Sequence, residues 1–131
     1  MRNLILICLL FSLILFACEK APQAPSQDEV ESFLLSPTAG DTFRRGEAIQ
    51  IQANFSAKDW KMHGYELYVL DTSNYDLLFS AGLHTHEGLL EIDTSWVYTD
   101  SLPRAAELEI RCYIDHKGNY VQEFVPITLV P

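Results

Sequence analysis

The chain is 131 residues long, with 9 basic and 18 acidic side chains and a formal net charge of −9. That length allows one domain and excludes a multidomain enzyme. The acidity repels phosphate backbones and anionic head groups, so nucleic acid is excluded as a partner and any membrane attachment must be hydrophobic.

The first element is an apolar segment. Arg2 supplies a positive start, and Leu4 to Phe16 is apolar except for Ser12. Thirteen helical residues span about 20 Å, short of the roughly 30 Å hydrocarbon core, so this is a signal helix and not a membrane span. The run ends Leu15-Phe16-Ala17-Cys18 and passes directly into Glu19-Lys20. Ordinary signal cleavage wants small residues at both positions of an Ala-x-Ala-like site, and the first is missing here. A thiol at the point where an apolar helix meets water is well placed as a nucleophile. These residues resemble the lipobox of bacterial lipoproteins. Leu15 holds the branched position, Ala17 the small one, and Cys18 the residue that receives the lipid; Phe16 departs from the small residue usual there. The resemblance implies that residues 1–17 are removed and that Cys18 anchors the mature chain in a membrane outside the cytoplasm, in a diderm host the outer membrane. Loss of Arg2 with the signal leaves a side-chain balance of −10.

Residues 18–31 read as a linker. Glu19 to Glu31 holds two prolines, no aromatic residue and several charges. A dozen extended residues reach roughly 35 Å, enough to stand a domain clear of the lipid. Asp28, Glu29 and Glu31 form an acidic cluster, either a solvated face or an export address.

From residue 32 to 131 the pattern has period two, broken by turn residues. Phe33-Leu34-Leu35 predicts a short strand stopped by Ser36-Pro37, and turns follow at Thr38–Asp41 and Arg45–Glu47. Ile49, Ile51, Ala53 and Phe55 alternate with Gln50, Gln52 and Asn54, a half-buried strand. Tyr65, Leu67 and Val69 lie on a strand apolar on both faces, hence central. Leu77–Phe79 is short, and Leu90 and Ile92 lead to Trp96. Ala106, Leu108, Ile110, Cys112 and Ile114 alternate with polar residues. The turn Asp115–Asn119 closes a hairpin onto a last strand with Val125, Ile127 and Leu129 inward. Pro126 in that strand implies an edge or a bulge.

About seven short strands and no helical period after the signal predict an all-β sandwich of immunoglobulin-like or fibronectin-III-like architecture. Ser36-Pro37-x-x-Gly40, Gly46-Glu47-x-Ile49 and Asp115-x-x-Gly118-Asn119 resemble the turns of bacterial Ig-like domains. With the lipobox, the chain resembles small Bacteroidota-type lipoproteins that carry one Ig-like domain of unknown function. This resemblance concerns turns, so it implies fold and compartment but no activity.

Chemistry-bearing residues are few. Cys112 would be left alone in the mature domain, so no internal disulfide is expected, and its register among inward residues predicts a buried structural thiol. There is no phosphate-binding glycine loop, no zinc cysteine pair and no recognisable nucleophile triad, so an enzyme is not expected. The Asp71–Asp76 loop lacks a calcium-type oxygen set. His84-Thr85-His86 is the one local histidine pair; if extended, both imidazoles share a face, which suits Zn²⁺ or Cu²⁺ given further ligands. His63, Glu87 and Asp93 are possible contributors, against the alternative of a polar loop between Gly82 and Gly88. Trp60 reads either as a plug of the sandwich end or as an exposed contact for a protein or glycan partner, and Trp96 as core. The reading that follows is a membrane-anchored, noncatalytic binding or accessory module, monomeric in its domain, with a Zn or Cu protein using His84 and His86 as the alternative.

Overall fold

The computed structural model describes residues 21–131; the expected signal segment and the lipobox-like Leu15–Cys18 lie outside the described residues. Eight strands follow one 3-10 turn: β1 (Val30–Ser36), β2 (Thr42–Arg44), β3 (Ala48–Ala57), β4 (Tyr65–Asp71), β5 (Leu77–Leu83), β6 (Leu89–Val97), β7 (Arg104–Tyr113) and β8 (Tyr120–Val130). They form two sheets, ordered β1-β3-β6 and β2-β8-β7-β4-β5. Pairing is antiparallel except for β2, which runs parallel to β8. This is the expected Ig-like β-sandwich.

Inward alternation builds the core. Ile49, Ile51, Ala53 and Phe55 of β3, with Leu90 and Ile92 of β6, face Leu67 and Val69 of β4, Leu108, Ile110 and Cys112 of β7, and Val125, Ile127 and Leu129 of β8, all buried. Each Val, Leu, Ile or Phe among them contributes about 1.5–3 kcal/mol by leaving water. The β4 strand is central, flanked by β5 and β7.

Three expectations need adjusting. The domain does not open at residue 32: Gln27–Glu29 form the 3-10 turn and β1 begins at Val30. The Gln27 side-chain amide donates to the Tyr120 carbonyl (2.7 Å), and Ala24 packs against the core. The end of the segment read as linker is thus docked, because Val30 pairs with Ala57 and extends the sheet by two residues. Seven strands become eight because three-residue β2, with only Phe43 turned inward, carries too little alternation to read. Pro126 lies on a strand that β2 pairs only from Thr128 onward, so at Pro126 the missing amide faces no ladder; its carbonyl accepts from Gly40 N instead (2.8 Å).

At the end where β4 finishes and β7 starts, buried Asp71 is held by the Ser73 hydroxyl (2.5 Å), the Ser73 amide (2.7 Å) and Arg104 Nη1 (2.5 Å). Arg104 also grips Asp100 (2.7 Å), tying the β6–β7 connection to β4. The Ser73 bonds first, then Arg104, hold the Asp71 carboxyl down to about 2 from 3.8. Because the folded value is the lower one, the stability Asp71 contributes is complete above pH 3.8 and is lost as pH falls toward 2. The melting temperature of Asp71→Asn is expected to lie several degrees below wild type at pH 6, with the gap closing between pH 4 and 2. A gap that persists at pH 2 would refute the assignment.

Candidate metal centre

The opposite end of the sandwich carries the β3–β4, β5–β6 and β7–β8 connections, and all four histidines lie on them. Backbone hydrogen bonds stitch these loops together. Met62 and Glu87 exchange a reciprocal pair, Met62 N to Glu87 O (2.8 Å) and Glu87 N to Met62 O (3.2 Å). His63 N donates to Tyr113 O (2.8 Å), and Tyr113 N to Gly64 O (2.9 Å). Met62 is fully buried beneath them. Gly64 makes the approach feasible: its φ is +118°, and a Cβ there would stand 2.1 Å from the Leu83 carbonyl oxygen. Any side chain at position 64 would push His63 away from the His84 loop. On the third loop, the Asp115 carboxylate accepts from Lys117 N (2.8 Å), Asn119 N (3.2 Å) and Asn119 Nδ2 (2.7 Å), fixing the turn that presents His116.

The result is a cluster of imidazoles. Ring centroids of His63 lie 4.1 Å from His116 and 4.5 Å from His86; His86 lies 5.2 Å from His116, and His84 lies 5.0 Å from His86 and 5.8 Å from His116. One nitrogen from each of His63, His86 and His116 falls within 4.8 Å of the others. Nitrogens about 2.0 Å from one tetrahedral ion sit roughly 3.3 Å apart, so small side-chain rotations bring all three onto one ion. His63 Nδ1 is buried and has no hydrogen-bond partner among the described residues. An unsatisfied buried nitrogen costs about 1–3 kcal/mol, and a metal ion would supply its missing partner.

Burial pushes the His63 imidazole below its ordinary value of 6.5; His116, His86 and His84 push the same way, and only Asp115 opposes them. The neutral ring is the ligating form. By the sign of this shift, the contribution of His63 to stability is complete above pH 6.5 and fades as pH falls through its lower folded midpoint. In the metal-free protein, the His63 ring signal followed by NMR is expected to titrate below 6.5; a midpoint at or above 6.5 would contradict the packing described.

The other candidates are placed as follows. His84 and His86 sit side by side, with ring centroids 5.0 Å apart, but the expected pair does not make the site: His86 joins His63 and His116 in the nitrogen trio, and His84 stands outside it. Glu87 stands outside the nitrogen trio; its backbone makes the loop-to-loop bridge, and Thr85 Oγ1 approaches its carboxylate at 3.4 Å. Asp93 is on the β6 strand next to β3, where it accepts from Gln52 Nε2 (3.2 Å), away from the histidines. Trp60 is half-buried against the core and its indole N–H donates to Ile114 O (2.7 Å), the geometry of a plug. Trp96 stacks on Phe79 with centroids 5.6 Å apart. Cys112 is buried, and burial pushes its thiol up to about 12, an inert group. Sequence reasoning missed His116 as a participant. The available signal was topological: in an Ig-like sandwich the β7–β8 hairpin shares an end with the β3–β4 loop.

No family model and no curated protein matches the chain. Among solved structures, it is similar to Spo0M, a sporulation control protein from Bacillus subtilis, at 11% identity and a TM-score of 0.54. That alignment covers 79% of this chain and 49% of Spo0M, so the chain spans about half the length of that protein. A second similar structure is CopC from Methylosinus trichosporium OB3b, at 15% identity and a TM-score of 0.46, covering 77% of this chain and 95% of CopC. What is shared is the β-sandwich. Identities this low carry the fold and nothing of the chemistry.

Proposed function

We propose that this protein is a lipid-anchored, noncatalytic metal-binding protein outside the cytoplasm, taking Cu²⁺ or Zn²⁺ on His63, His86 and His116. The observation that carries the reading is the convergence of three imidazole nitrogens within 4.8 Å, one of them on a ring whose Nδ1 is buried and unpartnered. An all-nitrogen donor set suits Cu²⁺ and Zn²⁺ and is poorly matched to Ca²⁺ or Mg²⁺, which take oxygen. The acidic balance of the chain favours approach of cations. Anchoring rests on the Leu15–Cys18 lipobox and compartment follows from it. A role in docking a protein or glycan through Trp60 is less well supported, because that indole is spent inside the domain.

The mature protein, loaded with Cu²⁺ or Zn²⁺ and dialysed, is expected to keep one equivalent per chain, and the His63→Ala and His116→Ala variants far less. Equal retention by wild type and variants would refute the metal reading. Radiolabelled palmitate is expected to enter the wild-type precursor in cells and to be absent from Cys18→Ser. Equal labelling, or no labelling of wild type, would refute the anchor.

A further inference from the structure

Beside the histidines lies an open cleft of about 450 Å³, whose lining includes His63, His84 and His116 together with Tyr65, Glu66 and Tyr113. A single water occupies about 30 Å³ of liquid, and small-molecule sites begin near 300 Å³. The space therefore exceeds what one ion and its water need.

The lining combines two chemistries. It shares His63 and His116 with the nitrogen trio, while His84 lines the cleft from outside the trio. It also holds a carboxylate fixed in place: the Tyr68 hydroxyl (2.8 Å) and the Tyr113 hydroxyl (2.6 Å) both donate to Glu66 Oε2. Oε1 of Glu66 takes no hydrogen bond from the described residues. Three imidazoles satisfy three positions of an ion that takes four or five ligands, which leaves at least one position to an exogenous group. The ion's own charge draws anions too, and Arg111 partly offsets Glu66; what the Glu66 carboxylate adds is an acceptor in the same lining for a neutral nitrogen ligand that carries an N–H, and nothing comparable for an anion.

Building on the metal reading, we infer that the cleft is a binding site for a small neutral nitrogen ligand, an amine or an azole, that completes the coordination of the ion and donates its N–H to Glu66. The bound ion is thus completed by an exogenous nitrogen ligand in preference to an anionic one.

The test uses the mature protein loaded with Cu²⁺, its copper content measured first, and two probes, imidazole and azide, followed by the visible copper band and by electron paramagnetic resonance. Imidazole is expected to shift the copper spectrum at a concentration about tenfold below that azide requires. Glu66→Gln should weaken imidazole about tenfold, the scale of losing one hydrogen bond to a charged group. Glu91→Gln, on the other sheet, controls for the loss of one negative charge. A loaded protein whose spectrum ignores imidazole, or which prefers azide, overturns the inference, as does an equal effect of Glu66→Gln and Glu91→Gln. Copper stripped by imidazole overturns it too. A wild-type chain that retains no copper at all instead brings down the metal reading itself, before any probe is added.

Discussion

Saturating Zn²⁺ or Cu²⁺ is expected to raise the melting temperature of the mature protein by about 10 °C or more. An ion at a hundred times its dissociation constant stabilises the native state by about 2.7 kcal/mol, provided the unfolded chain binds it weakly. In a domain of about 100 residues each kcal/mol moves the midpoint by roughly 4–8 °C. The weak-binding condition is favoured here by the arrangement of the proposed ligands. His63, His86 and His116 come from three connections separated in sequence by 23 and 30 positions, so unfolding disperses them. Differential scanning calorimetry with and without metal measures the effect. His63→Ala should remove the shift. A single cooperative melt of its metal-free form checks that the variant still folds. An undiminished shift in His63→Ala would place the ion elsewhere.

Phe55→Ala is expected to cost about 3–5 kcal/mol, the usual penalty for emptying an aromatic site in a packed core. Phe55 is 1% exposed, at the inward face of β3 opposite Leu90. Against a total stability of about 5–15 kcal/mol, this removes between about a fifth and all of the margin. With no disulfide among the described residues, nothing covalent offsets the loss. The neighbouring Leu89→Ala makes the contrast: Leu89 is 52% exposed, and its loss should change stability by no more than about 0.5 kcal/mol. Urea unfolding of both variants measures the difference. Similar midpoints would mean that the inward register of β3 and β6 is wrong.

The register of β3 was legible because a sandwich strand must alternate, and Ile49 to Phe55 alternates without interruption. The same holds for β7 and β8, whose inward residues were read one by one. Where the pattern was short, it failed. β2 has three residues and one inward side chain, and Val30 belongs to a strand although charges surround it, because its backbone finds Ala57 as partner. The cluster was half legible. His84-x-His86 is local, and extended backbone puts both rings on one face whatever the fold. His63 could be named only as a candidate and His116 not at all, since no spacing rule links positions 23 to 53 residues apart.

The amino-acid order alone thus determined what depends on neighbours in the chain: the inward faces of the long strands, the turns and the histidine pair, together with the lipobox resemblance at the start. What needed the tertiary structure was everything set by which strand ends meet. Pairing order brings the β3–β4, β5–β6 and β7–β8 connections to one end, and the absence of a Cβ at Gly64 lets them close up. Only then does a lone histidine in a hairpin turn bring a third nitrogen to the proposed site. Side-chain periodicity is a local property of the backbone, whereas the meeting of loops is a property of the folded sheets.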